Sequence, residues 1–212
     1  MLVTSINIGR PRSLNGKSFR GETGIFKEPV ATPVRLDVLG IDGDAVLNER
    51  HHGGPDQAVY LYRQEDYDWW SETLQRPIAP GTFGENLTVS GLPSPDLPIG
   101  ARLEFDQVLL EVTAPRIPCN TLAERMGDAR FARAFVRAER PGLYCRVLHT
   151  GTLTTGDHFT YSDAPASDVT VLEIFRAAYR KVTAAEIRRF LDAPIDIRTR
   201  RAYEEKLPSL DG

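Results

Sequence analysis

Residues 2–8 alternate loosely between apolar and polar side chains, which predicts a strand. Val34, Leu36 and Val38 alternate with Arg35 and Asp37, so 33–39 reads as a half-buried strand, followed by a turn at 41–44. A third strand covers 58–62. The period then lengthens. Tyr67, Trp70 and Leu74 share one face over 64–74, the mark of a helix, and the Pro and Gly residues of 76–81 end it. Short strands follow at 86–90, 101–105 and 108–113, separated by Gly and Pro. Their spacing of roughly ten residues suggests a sandwich or barrel. A helix begins near Thr121. Asp128 caps another through 139, with Phe131, Phe135 and Ala138 as its apolar stripe. The last strand of the series is 143–149.

Beyond Tyr161 the character changes. Residues 162–167 are linker-like. Asp168 is placed to cap a helix to Arg180. Thr183 and Glu186 form a capping box for a helix to Asp192, and Asp196 caps a third to Lys206. The sequence therefore divides at a β-rich domain, 1–163, and a three-helix domain, 164–212. Residues 9–24 hold four glycines and four cations and read as a flexible basic loop. It is either a solvated face or an arm that closes over an anionic ligand through Lys17.

The 212 residues carry a net charge of −3 and 41% apolar residues, ordinary for a soluble protein. Neither nucleic acid nor a membrane is an expected partner, and no apolar run reaches the ~18 residues of a membrane span. Without an export signal at the N-terminus, a cytoplasmic enzyme is the expectation. Two cysteines, Cys119 and Cys145, and four histidines are too few and too badly spaced for a standard zinc site.

The chemistry-bearing stretch is 114–120. Cys119 follows a strand, precedes a helix, lies three residues after Arg116, and sits in a loop stiffened by Pro115 and Pro118. A helix N-terminus and a nearby cation both favour thiolate, so Cys119 is a candidate nucleophile or soft metal ligand. Its bland alternative is a buried structural cysteine. Cys145 shares a face with Leu143 and Val147 and reads as core, while Tyr144 and Arg146 occupy the opposite face. His51, His52, Gly53 and Gly54 precede a strand, and the glycines permit an anion-holding concavity. Glu85 and Asn86 stand at a strand entry and can bond a heterocycle or brace a loop. A nucleophilic mechanism needs a base, for which His51, His52, His149 and His158 are all candidates.

In their order and spacing, the stretches 51–59, 83–87, 115–119, 140–147 and 151–157 resemble the MOSC family, the molybdenum-cofactor sulfurase C-terminal type. The tail resembles that of stand-alone bacterial members of the 6-N-hydroxylaminopurine-resistance type. The resemblance implies a mainly β fold: a β-barrel with helical insertions, followed by a small three-helix domain. It implies that Cys119 ligates the molybdenum of a pyranopterin cofactor, with Lys17, His51, His52, Gly53, Gly54, Glu85, Asn86, Arg116, Tyr144 and Arg146 around the cofactor or substrate. Pyridoxal phosphate is not expected. The implied reaction reduces N-hydroxylated compounds. No flavin motif or iron–sulfur cysteine set is present, so a separate reductase would donate electrons. The alternatives are a sulfur carrier with a Cys119 persulfide, and a non-catalytic pterin- or partner-binding module. A homodimer is compatible with each.

Overall fold

The alternation of 2–8 becomes β1 (Leu2–Gly9) in the computed structural model, which describes residues 1–48, 52–164 and 168–210. Next comes a departure from expectation. Residues 9–24 are not a flexible loop but largely a hairpin, β2 (Arg12–Asn15) and β3 (Arg20–Thr23), paired from Arg12 opposite Thr23 to Asn15 opposite Arg20. Both strands are mostly exposed, so no apolar alternation announces them. Then follow β4 (Lys27–Pro29), β5 (Val34–Asp37), β6 (Gly40–Ile41), a 3₁₀ turn at Pro55–Gln57, β7 (Val59–Arg63) and α1 (Gln64–Thr73). After α1 come β8 (Leu87–Ser90), β9 (Arg102–Phe105), β10 (Leu109–Pro115), α2 (Asn120–Met126), α3 (Phe131–Ala138) and β11 (Leu143–His149). The chain ends with β12 (Gly151–Leu153), β13 (Phe159–Ser162), α4 (Val171–Ala177), α5 (Ala184–Asp192) and α6 (Ile197–Lys206).

The main sheet has eight strands in the order β13-β9-β10-β11-β7-β8-β1-β4. Its pairs are antiparallel except β7 with β8, which run parallel with Leu61 opposite Leu87. A parallel pair needs a crossover, and α1 with the loop after it provides one. A smaller sheet orders β12-β5-β6.

The sheet does not close into the barrel that the resemblance implied. Its edges are β4 and β13. The outer side of β1 is divided between two neighbours. Residues 7–9 pair with β4, while Leu2 bridges His158 and Val3 exchanges backbone bonds of 2.9 Å with Asp157 and Gly156. Each contact is too short to extend into a continuous ladder.

Two apolar clusters stabilise the fold. The larger, aliphatic cluster includes Val3, Leu61, Leu103 and Val112, and runs without a break into Val171 and Ile174 of α4 and Ile187 and Phe190 of α5. Helices α4 and α5 thus share the sheet's core, with Tyr203 of α6 packed against it. The smaller cluster is aromatic, with Trp70, Tyr62, Phe83, Phe131 and Phe135 fully buried. The Trp70 indole donates to Tyr62 Oη at 2.8 Å, giving the buried polar tips a partner.

Local capping follows side-chain chemistry. Thr183 and Glu186 form the expected box at α5, and Asp196 accepts from the Arg198 and Thr199 N–H groups at α6. For α4 the cap is Thr170 with Glu173 rather than Asp168. A T-x-x-E spacing satisfies two orphan donors reciprocally, where Asp168 would satisfy one. Among the described residues, no helix is long and apolar enough to cross a membrane.

Candidate functional site

β10 ends at Pro115 and delivers Arg116 and Cys119 to the wall of a cleft of about 740 Å³ that is open to solvent. Cys119 is the N-cap residue of α2, half-buried, in extended conformation. Around it stand Arg116, His52, Tyr144, Tyr60, Lys27, Asp44 and Asn86. Phe19, Glu22 and Thr23 of the β2–β3 hairpin line the same cleft.

Arg116 is held from behind. Its side chain is 4% exposed, Nη1 donates to the Phe83 carbonyl at 2.6 Å, and the guanidinium lies 5.0 Å from the centre of the Tyr60 ring. The Phe83 carbonyl is fixed by a turn that Glu85 braces. Glu85 is fully buried and accepts from Gly81 N–H at 2.6 Å, Tyr67 Oη at 2.7 Å and Thr88 Oγ1 at 2.8 Å. Burial pushes its carboxyl up, against the pull of these donors. Gly84, with φ +77°, completes the turn; a Cβ there would lie 3.2 Å from Arg116 Nη1.

His52 sits across from Arg116. Its Nδ1 is 3.2 Å from Tyr144 Oη, and its ring lies beside Cys119, close enough to lower the thiol pKa. Burial alone would raise the Cys119 thiol. The His52 hydrogen bond, the Arg116 charge and the Leu122 N–H outweigh it and bring the pKa down to about 5. At neutral pH this sulfur is an anion. Cys145 is the opposite case: fully buried, unpaired with Cys119, and pushed well up by burial.

The floor of the cleft carries a second charged group. Lys27 is ion-paired with Asp44, both nearly buried. Asp44 also accepts Gly9 N–H at 2.7 Å and Asn86 Nδ2 at 2.8 Å. Burial lowers the Lys27 pKa and Asp44 partly restores it.

Of the residues singled out from the sequence, Cys119, His52, Gly53, Asn86, Arg116 and Tyr144 line this cleft. Gly54 is adjacent and turns the chain into the 3₁₀ helix. His51 lies outside the described residues. Three others are placed elsewhere. Lys17 stands exposed at the hairpin turn, beside the Glu124 carboxylate that binds Ser18. Glu85 acts on the site through the 81–85 turn. Arg146 is bound to Asp56 at 3.1 Å, to Glu111 and to the Pro194 carbonyl, where it ties the tail to β11. Lys27, Asp44 and Tyr60 went unrecognised in the sequence. Nothing local marks them: a lysine opening a short edge strand, an aspartate in a turn, and a tyrosine in a strand. The loop holding His52 is itself anchored from the tail, where Arg198 donates to the His52 carbonyl at 3.1 Å and the Gly53 carbonyl at 2.9 Å.

A family model described as the MOSC domain matches residues 48–160. The uncharacterized protein YflK of Bacillus subtilis is 38% identical over 154 residues, covering 73% of this chain and 70% of that one. A Gibberella moniliformis protein named Reductase is 33% identical over 158 residues, 73% of this chain but 28% of its own length. The crystal structure of YiiM from Geobacillus stearothermophilus matches with a TM-score of 0.79 and 27% identity, covering 97% of this chain and 98% of that one.

Proposed function

The chain belongs to the MOSC domain family, and from that premise we propose that it is an oxidoreductase that binds the molybdenum cofactor through Cys119 and reduces N-hydroxylated compounds. The observation that carries this is the Cys119 thiolate, anionic at neutral pH and facing a cleft beside a buried arginine. A soft thiolate suits a metal that brings most of its own ligands. The surroundings fit such a group. Arg116 Nε is buried with no hydrogen-bond partner, and Lys27 adds a second cation at the floor. Bound there, the cofactor would supply a two-electron redox couple.

The remaining chemistry belongs to the chain. Reduction of R–NH–OH takes up two electrons and two protons and releases R–NH₂ and water. Arg116 keeps the Cys119 sulfur ionised and fixed. His52, beside that sulfur and 3.2 Å through Nδ1 from Tyr144 Oη, is the group assigned to give a proton to the departing hydroxyl. Tyr60 and Phe19 add aromatic surface to the cleft wall. Electrons come from a separate reductase; the fungal relative's printed name accords with reductive chemistry.

The test is metal analysis and reduction of 6-N-hydroxylaminopurine by wild type and Cys119→Ala, made in a host that synthesises the cofactor. Molybdenum and activity are expected in wild type and absent from the variant. Equal values in both defeat the assignment. A single-sulfur adduct on Cys119 without molybdenum replaces it with the sulfur-carrier reading.

A further inference from the structure

The β2–β3 hairpin and helix α2 form one side of the Cys119 cleft, the first through Phe19, Glu22 and Thr23 and the second through Thr121. They are fastened to each other. Glu124 of α2 accepts the Ser18 N–H at 2.6 Å and the Ser18 hydroxyl at 2.7 Å, which holds the hairpin turn against the helix. At the other end of the hairpin, Arg12 pairs across the strands with the cleft-lining Thr23. The Arg12 guanidinium is 4.7 Å from the centre of the Phe26 ring, and the Arg125 guanidinium, from α2, is 4.5 Å from the same centre.

Two cations thus share one ring. Among the described residues, neither guanidinium makes an ion pair or a hydrogen bond. Burial and the Arg12 charge both push the Arg125 pKa down. Like charges so placed repel, and a carboxylate set between them relieves the repulsion. Arg10, Lys17 and Arg20 are exposed on the same segment. Of the acids there, Glu124 is taken by Ser18, leaving Glu22 and Glu28. In a chain of net charge −3 this rim is locally cationic.

The rim is an outer surface. Neither Arg12 nor Arg125 lines the Cys119 cleft, nor a second cleft of about 1090 Å³ between the end of β10 and helices α4 and α6. It therefore suits a macromolecule. No large apolar side chain is exposed among the described residues of 9–28 and 120–126, so nothing there inserts into lipid. Phe26 carries both guanidiniums and Phe19 lines the cleft, so neither ring is a bare platform for a base. An acidic protein surface meets both conditions. Six residues separate Arg125 from Cys119, about 9 Å along the helix, so a protein seated on the rim is close to the thiolate.

We propose that the hairpin–α2 rim, centred on Arg12 and Arg125, is the docking surface of an acidic electron-carrier protein. The carrier's role as donor rests on the reductive reading above; its seat on the rim does not. Two reduced one-electron carriers, R–NH–OH and two protons give two oxidised carriers, R–NH₂ and water.

Isothermal titration calorimetry of the full chain tests the surface with two carriers of opposite charge, an acidic plant-type ferredoxin and basic cytochrome c. Ferredoxin is expected to saturate one site with an affinity that falls as salt rises, and cytochrome c is expected not to bind. Arg12→Glu, at an exposed position, weakens ferredoxin binding about tenfold, and adding Arg125→Glu weakens it further. Arg201→Glu on α6 makes the same change of net charge and leaves binding intact. Melting curves confirm the fold of each variant. In molybdenum-loaded protein, Arg12→Glu raises the KM for reduced ferredoxin about tenfold and leaves kcat with reduced methyl viologen unchanged, since a small donor needs no docking surface. The proposal is overturned if ferredoxin does not bind, if cytochrome c binds as well, or if Arg201→Glu weakens binding as much as Arg12→Glu. Tighter Arg12-dependent binding of an oligothymidylate or of phosphatidylglycerol vesicles also overturns it, giving the rim to nucleic acid or lipid. Arg12-dependent ferredoxin binding with no reduction from either donor supports the surface and removes the reductive reading. Reduction from methyl viologen without ferredoxin binding removes the surface alone.

Discussion

Replacing His52 with alanine tests the centre of the cleft directly. In the native chain burial pushes the Cys119 thiol up, and the His52 hydrogen bond, the Arg116 charge and the Leu122 N–H bring it from an ordinary 9.0 to about 5. That drop corresponds to at most about 5 kcal/mol favouring the folded thiolate. Its sign is fixed by linkage. The folded pKa lies below the unfolded one, so the stabilisation is complete above the ordinary thiol pKa and is lost as pH falls toward about 5. A hydrogen bond to a charged group contributes about 1.5–3 kcal/mol, so losing the imidazole raises the thiol pKa by about one to two pH units. The assay is the rate of Cys119 alkylation by iodoacetamide between pH 4 and pH 10, with the adduct located by mass spectrometry and each rate normalised to its alkaline plateau, which removes differences in intrinsic nucleophilicity (plateau rates vary with thiol pKa by about half a logarithm per unit). Cys145 is fully buried and does not react in the folded chain. Wild type is expected to titrate near 5 and His52→Ala between about 6 and 7. A wild-type midpoint at the ordinary thiol value, or the same midpoint in both proteins, refutes the arrangement.

Lys27→Met leaves Asp44 buried without its counter-ion and is expected to cost about 3–5 kcal/mol in urea unfolding; adding Asp44→Leu recovers only part of it, because Gly9 N–H and Asn86 Nδ2 then lose their acceptor. Thr183→Ala removes one half of the α5 capping box and lowers stability by about 1 kcal/mol, read as a drop in melting temperature. Gly84→Ala forces a side chain into a left-handed turn against Arg116, costing about 1–2 kcal/mol, and the same alkylation assay should show the Cys119 midpoint rising as Arg116 shifts.

Much of this was legible in the sequence because it is local. The β1 alternation, the α1 stripe and the Thr183 box each depend on residues within one or two turns, and each stands in the structure. Cys119 was legible for the same reason: proline, arginine and helix start all lie within a few residues of it. What was missed depends on distant pairing. The β2–β3 hairpin is exposed, so solvent erases the pattern by which strands are recognised. Sheet closure depends on how residues 156–159 meet β1, which no local period records. Cations suffer most. Lys17, Arg146 and Lys27 look equivalent along the chain, yet topology sends the first to a hairpin turn, the second to the tail, and only the third to the cleft.

His52 and Tyr144, joined by one hydrogen bond, line two clefts at once, so the clefts have a wall in common. Any factor by which filling one cavity changes affinity in the other must appear unchanged in the reverse direction. An effector in the second cleft that alters the titration of the Cys119 sulfur must therefore itself bind differently when that sulfur changes state.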